Sequence, residues 1–266
     1  FEEIAKYRAA RRIWARELRE TYAAKNPRSW LMRFHTQTAG VSLTAQQPEL
    51  NIVRTALEAL AAVLGGTQSL HTNSFDEALA LPTENAVRIA LRTQQVIAHE
   101  SGVVNTIDPL GGSWYVEDLT NRLETEAYDY FDRIRKLGGV IPAIEENFFQ
   151  REIADASFRY QAEVEAKQRV VVGVNRYVAE EEAPIELLRV DPAVEQKQID
   201  RVQATRAKRD SAKVESTLAA LKERASKEGV NLMPLIIEAS REYVTRGEMC
   251  DALREVWGVW RETPVF

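Results

Sequence analysis

The sequence has a single cysteine, Cys250, so no disulfide can form within the chain. A reducing compartment, the cytoplasm, is the expected setting. No apolar run approaches the ~20 residues that a bilayer-spanning helix needs, and no charged-then-apolar leader opens the chain, so no membrane partner is expected. Positive charge is not in excess: 35 Lys and Arg against 40 Asp and Glu leave a formal net charge of -5. A chain without a basic face is poorly suited to neutralising phosphates, which argues against nucleic acid. Histidine is scarce, at three residues, and none stands beside Cys or another His at metal-ligand spacing, so no metal is assigned to this chain. Gly-x-Gly-x-x-Gly, Walker A and Gly-x-Ser-x-Gly texts are all missing, which removes the usual dinucleotide, triphosphate and serine-hydrolase signatures. There is no 20–50-residue repeat and no low-complexity stretch.

What is present is a chain of 266 residues, 45% hydrophobic and 28% charged. That suffices for one large domain or one domain with an appendage. Phe1 is not Met, and Phe1 to Ala24 reads as a helix already under way, with Ile4, Tyr7, Ala10, Trp14 and Leu18 three or four apart. We therefore expect a fragment, or a sequence that begins mid-domain. This helix should end near Asn26-Pro27. Trp30 to Thr36 is aromatic-rich and apolar, as a buried strand is. Asn51 to Leu64 is a helix apolar on most faces and closed by Gly65-Gly66. Ser69 to Thr72 is a second strand. Glu84 to about Ser101 is a third helix, N-capped by Thr83 and stopped by Gly102. Val103 to Ile107 is read as a last short strand. Strand and helix alternating at this pitch predict βα units over a parallel sheet.

Beyond Trp114 the pattern turns helical. Val116 to Leu137 and Pro142 to Lys167 read as long amphipathic helices, Arg169 to Val174 as a strand, Pro184 to Val190 as extended and Pro192 to Ala225 as one long helix, with two shorter helices to finish. Residues 1–112 are thus α/β and 113–266 mostly helical.

Two segments share an unusual make-up. Arg33-Phe34-His35-Thr36-Gln37-Thr38 and Thr67-Gln68-Ser69-Leu70-His71-Thr72-Asn73 each set a His, a Gln and several hydroxyls at the end of a predicted strand. In α/β barrels the C-terminal strand ends face the active site, and neutral donors and acceptors suit an uncharged polar ligand. Asp76 and Glu77 are adjacent, so on a helix they diverge and make a poor acid/base pair. Glu77 alone is a candidate acceptor for ligand hydroxyls.

The texts HTQTAGVSLTAQQP (His35 to Pro48), NIVRTALEALAAVLGGTQSLHTNSFDEALALPTE (Asn51 to Glu84), ESGVVNTIDPLGGSWYVE (Glu100 to Glu117), VVGVNRY (Val171 to Tyr177) and LREVWG (Leu253 to Gly258) resemble the coenzyme-B12-dependent acyl-CoA mutases. This is the family of methylmalonyl-CoA mutase, with its isobutyryl-CoA and 2-hydroxyisobutyryl-CoA relatives, and the resemblance covers essentially the whole chain. It implies a (β/α)8 TIM barrel with acyl-CoA threaded along its axis. Residues 1–112 would be the last barrel strands and helices, and 113–266 an extension toward a B12-binding subunit. It implies an adenosylcobalamin-dependent radical rearrangement of the carbon skeleton of a short branched acyl-CoA, methylmalonyl-CoA/succinyl-CoA before isobutyryl-CoA or 2-hydroxyisobutyryl-CoA. By the same resemblance, Gln37 and Gln68 line the substrate and adenosyl cavity and, with His35, are the catalytic candidates; Asn73 and Glu77 hold the adenosyl ribose, with His71 also on the cofactor side, and Arg28 joins the two glutamines in binding substrate. His35 and His71 match motif histidines near the corrin face.

The family's cobalt-ligating Asp-x-His-x-x-Gly is absent. In His99-Glu100-Ser101-Gly102 the position for Asp is Ile97, so His99 is read as a residue at a helix C-terminus. The cobalt is expected to be ligated by another domain or subunit. Arg261 to Phe266 reads as the end of a large subunit whose B12 domain is a separate small subunit, and the upstream half of the barrel is the other expected partner. A non-catalytic piece that only binds a partner subunit is the competing reading.

Overall fold

The computed structural model describes residues 1–180 and 184–262. Two compact units are formed, one spanning Phe1–Leu188 and a second beginning at Arg189.

In the first unit α1 (Glu2–Arg16) buries Ile4, Ala5 and Ala9 and continues as a π-helical turn, Glu17–Thr21. A 3-10 turn, Pro27–Trp30, follows, with the Asn26 side chain accepting from the Arg28 amide. Strand β1 (His35–Gln37), helix α2 (Leu50–Leu64), strand β2 (Ser69–His71) and helix α3 (Glu84–Glu100) come next. The strands are parallel, with His35 opposite Ser69, Thr36 opposite Leu70 and Gln37 opposite His71. Parallel strands need a crossover of a dozen or more residues, and α2 supplies it. The expectation of βα units over a parallel sheet is met.

Local chemistry accounts for these elements. Thr83 accepts from the Ala86 amide and starts α3. Gly65 and Gly66 end α2, and Gly66 has φ +80°. A Cβ on Gly65 would run into the Tyr7 ring, so the glycine permits the close approach of α1. Helix α3 is docked by polar bonds as well as by Ala86 and Ala90. The Thr72 hydroxyl donates to Ala90 O (2.7 Å), and Gln94 Nε2 donates to Leu70 O (3.2 Å) on the sheet edge.

Helix α4 (Trp114–Lys136) packs on α1 through a charged ladder: Arg8 to Glu117, Arg12 and Arg16 to Glu124. Partners advance together along both helices, so the two run parallel. Rungs whose arginine is exposed, as Arg12 and Arg16 are, contribute only ~0–1 kcal/mol each. The half-buried Arg8 is different, since it also holds Asp108 through two bonds.

Several expectations fail for identifiable reasons. Trp30 to Thr36 is not a buried strand, because only its last two residues join β1. Trp30 Nε1 instead donates to Ala24 O, and Phe34 stacks on Tyr7 (5.0 Å between centroids). Val103 to Ile107 is a 3-10 turn, Val103–Asn105, after Gly102 at φ +74°. Pro142 to Lys167 is split into α5 (Val140–Glu145) and α6 (Phe148–Glu165) by Asn147 at φ +57°. Arg169 to Val174 forms one isolated bridge, Val172 to Arg176. It is wound round Asn175, whose amide donates to Val164 O and Arg169 O and accepts from the Val171 amide. Gln47 Nε2 donates to Tyr177 O, and Arg54 Nη2 to Val172 O, so the VVGVNRY text clamps the β1–α2 connection.

In the second unit the expected single helix Pro192 to Ala225 is α7 (Pro192–Lys208) and α8 (Ser211–Ala225). Arg209 is extended (ψ 156°), and Asp210 caps α8 by accepting from Ala212 and Lys213 amides. Helices α9 (Met233–Arg241) and α10 (Arg246–Trp257) are the two shorter ones, packed around Val214, Ala239 and Val244. Within Arg261 to Phe266, residues 263–266 lie outside the described residues.

Candidate functional site

Side chains alternate across a strand, and the register puts His35, Gln37, Ser69 and His71 on one face. All four are exposed, while Thr36 is buried and Leu70 half-buried on the other face. The helices therefore cover one side of the sheet, and an open, uncharged polar side remains. Across it His35 Nδ1 and the Ser69 hydroxyl share a hydrogen bond of 2.6 Å.

At the C-terminal end of the strands a buried network takes over. Thr38, Asn73 and Ser74 are 3–4% exposed. The Thr38 hydroxyl donates to Asn73 Oδ1 (2.7 Å) and accepts from the Asn73 amide (2.9 Å). Asn73 Nδ2 donates to Glu77 Oε2 (2.6 Å), and the Ser74 amide donates to Glu77 Oε1 (2.8 Å). Glu77 itself is only partly buried. A carboxylate oxygen has capacity for more than one donor, so Glu77 is held from behind with acceptor capacity to spare. Asp76 has another task, as its divergence from Glu77 implied. It is fully buried, and its Oδ2 accepts from the Thr83 amide (2.9 Å) and hydroxyl (3.0 Å).

The two glutamines are not brought together. Gln37 ends β1, whereas Gln68 precedes β2 and so lies at the opposite, N-terminal end. Gln68 Oε1 accepts from the Phe34 amide (2.8 Å), and its Nε2 donates to Gly66 O (3.2 Å). There Gln68 lines a cavity of about 400 Å3 with Arg11, Gly66, Val103, Thr106 and Asp108. Arg28 sits exposed on the 3-10 turn, and its side chain has no hydrogen-bond or ion-pair partner among the described residues. An apolar cavity of about 590 Å3, lined by Trp14, Leu18, Tyr22, Phe131 and Ile134, contains none of these polar groups. His99 is exposed near the end of α3, and no cluster of three His, Cys, Asp or Glu suited to a metal occurs among the described residues.

The sequence does not single out Ser74 and Asn51, and it presents Thr38 only as one of the strand-end hydroxyls. Asn51 is fully buried on α2 and ties the two strand-to-helix connections, accepting from the Thr44 amide (3.0 Å) and donating to Thr44 O and Phe75 O (both 2.9 Å). A usable signal was parity, since Thr38 shares the inward-facing parity of Thr36. Glu117, in the first turn of α4, accepts from the Gly112 amide (2.9 Å) and so closes the Asp108–Gly112 turn. Hydrogen bonds from Arg8 and from the Gly112 amide hold that carboxyl down at about 2, and Arg8 is raised in return.

A family model described as methylmalonyl-CoA mutase matches residues 1–259. The chain is 49% identical to the 2-hydroxyisobutanoyl-CoA mutase large subunit of Aquincola tertiaricarbonis, over 100% of this chain and 48% of that protein. It is 47% identical to methylmalonyl-CoA mutase of Rhizobium meliloti (99% of this chain, 37% of that protein) and 46% identical to the human mitochondrial enzyme (97% and 34%). The chain thus spans about half, or less, of the length of these curated relatives.

Proposed function

Because the chain belongs to the methylmalonyl-CoA mutase family, we propose that it forms part of the catalytic subunit of an adenosylcobalamin-dependent carbon-skeleton isomerase. Its substrate is a short branched acyl-CoA, methylmalonyl-CoA/succinyl-CoA. The observation that carries this reading is the open polar sheet face of His35, Gln37, Ser69 and His71, continued at its C-terminal end by the Thr38–Asn73–Glu77 network. On this reading β1 and β2 belong to a (β/α)8 barrel whose axis faces those residues. Residues 1–112 are barrel, and 113–266 extend toward a B12-binding subunit. The upstream half of the barrel supplies the remaining wall.

The residues present fit an adenosyl group: neutral amides, hydroxyls and imidazoles, with one carboxylate held in place by donors. When bound, the coenzyme supplies the radical that begins the rearrangement. The chain's own part is to bind, orient and exclude water. Asn73 and Glu77 hold the ribose, with His71 beside the coenzyme. Gln37 and His35 face the reacting centre. Gln68 and Arg28 contact the acyl-CoA. Groups of this kind position a reactive species without offering it a labile charge, and a closed wall keeps loose water away.

The name of the Aquincola relative, a large subunit, favours a separate small subunit as carrier of the cobalt ligand. It also keeps 2-hydroxyisobutyryl-CoA, with isobutyryl-CoA, as the second reading of the substrate. The test is the full-length protein assayed with adenosylcobalamin, a B12-binding subunit and each acyl-CoA in turn. Coenzyme-dependent conversion of methylmalonyl-CoA is expected. Turnover of 2-hydroxyisobutyryl-CoA or isobutyryl-CoA instead would transfer the assignment to that substrate. Binding of the small subunit with no turnover of any acyl-CoA would leave a non-catalytic partner-binding role.

A further inference from the structure

We propose that Thr38 is a positioning residue for the ligand-facing carboxylate of Glu77, acting through the Asn73 amide. The inference rests on the reading of Asn73 and Glu77 as the ribose-binding pair. Its basis is a proton count. A threonine hydroxyl has one hydrogen to give. The backbone N–H of Asn73 already donates to Thr38 Oγ1 (2.9 Å), so the hydroxyl directs its own hydrogen outward, to Asn73 Oδ1 (2.7 Å). That bond fixes which end of the Asn73 amide is the carbonyl. The NH2 end must then face Glu77 Oε2 (2.6 Å). Glu77 Oε1 is held independently by the Ser74 amide (2.8 Å), so the carboxylate plane is fixed at two points. Thr38, Asn73 and Ser74 are buried, whereas Glu77 is partly open. All the fixing groups are therefore behind the carboxylate, and its remaining acceptor capacity points to the open side. Two oxygens presented in a fixed plane suit a vicinal diol, the chemistry of a ribose 2′,3′-hydroxyl pair.

Removing the Thr38 hydroxyl leaves the Asn73 carbonyl end without its donor. The amide is then anchored only at its NH2 end, by Glu77, and it moves with the carboxylate instead of holding it in place. Thr38→Val keeps the shape and deletes the bond, whereas Thr38→Ser keeps the bond.

The experiment uses the full-length protein and measures by calorimetry the binding of 5′-deoxyadenosine against 2′,5′-dideoxyadenosine, with a thermal melt and the KM for acyl-CoA alongside. In the unaltered protein the diol is expected to improve binding about tenfold, the factor equivalent to ~1.4 kcal/mol. In Thr38→Val the preference should fall to about twofold or less, with acyl-CoA KM unchanged, and Thr38→Ser should restore it. Full diol preference in Thr38→Val overturns the role of Thr38. Should Thr38→Val not fold, Thr38→Cys against Thr38→Ser decides in the same way, since the thiol is a weak donor of nearly the same shape. Glu77→Gln separates the two levels. If it abolishes the preference while Thr38→Val keeps it, only the positioning role fails. If Glu77→Gln keeps the preference, the ribose site itself is wrong.

Discussion

Asn51→Leu is the substitution whose cost the structure sets most directly. Asn51 is fully buried, and its amide serves both connections that build the candidate site: Thr44 in the β1–α2 loop and Phe75 just past Asn73-Ser74. Leucine has nearly the same volume but no polar atom. Three backbone groups, Thr44 N–H, Thr44 C=O and Phe75 C=O, lose their partner together, and Arg54 loses one of its acceptors. An orphaned buried group costs ~1–3 kcal/mol. Three of them, with some relief from relaxation, give a loss of ~3–5 kcal/mol. Asn51→Ala should cost less, ~2–4 kcal/mol, because a water can enter the space and satisfy part of the set. Two measurements in the full-length protein check this: the denaturation midpoint, and native-state hydrogen exchange at the Thr44 and Asn73 amides. Exchange at both should accelerate together, since one side chain ties the two loops. A loss below about 1 kcal/mol for Asn51→Leu, or faster exchange at Thr44 with Asn73 unchanged, would refute the reasoning.

Three further outcomes are expected. Gln68→Ala in the full-length enzyme should lower kcat/KM far more than stability, since it removes only two exposed hydrogen bonds, to the Phe34 amide and Gly66 O, worth ~1 kcal/mol each; an unchanged kcat/KM counts against its place in the site. Residues 1–266 alone should melt without a sharp cooperative transition or should self-associate, because the outer faces of α2 and α3 expose Val53 (57%), Leu57 (64%), Val87 (48%) and Leu91 (50%); a cooperative melt of the monomer would contradict this. In the second unit Arg209, with the Thr245 amide and hydroxyl, holds the Glu248 carboxyl down from 4.5 to about 2. A depressed carboxyl contributes stability that is present above pH ~4.5 and lost as pH falls toward 2, here roughly 2–3 kcal/mol. Glu248→Gln should flatten acid denaturation in that window, and an unaltered profile would show the pair to be inert.

What could be read in advance was local chemistry. Thr83 as a cap, Gly65-Gly66 as a stop and Gly102 as a terminator each act within a few residues, and each is where expected. What failed depended on distant partners. The aromatic run Trp30 to Phe34 has strand-like composition, but Tyr7 and Ala24 claim its rings. Asp210 lies in a charged run whose periodicity continues past it, yet its side chain caps a new helix. Helix α2 reads as apolar on most faces, but the residues actually buried on it are Asn51, Thr55, Ala59 and Ala62. Small and polar groups are needed where α2 meets the sheet and its loops, and the branched side chains face outward. The candidate site was legible as a set of residue types and not as an arrangement, because a strand's sequence does not state its register.

That register constrains the ligand. Gln37 lies opposite His71, three residues along from Gln68, and at ~3.3 Å per residue the two glutamines are separated by ~10 Å along the strand direction. No compact group touches both. On the proposed assignment, an acyl-CoA that meets Gln68 at one end and Gln37 at the other must lie along the strands, with the ribose held by Asn73 and Glu77 beyond its Gln37 end. A long, thin acyl thioester satisfies this. A ligand lying across the sheet does not. Gln68→Ala and Gln37→Ala should therefore act on different parts of the same molecule: the first should weaken binding of the acyl-CoA tail, and the second should lower turnover at saturating substrate. If both substitutions change KM and kcat in the same proportion, the lengthwise arrangement is wrong.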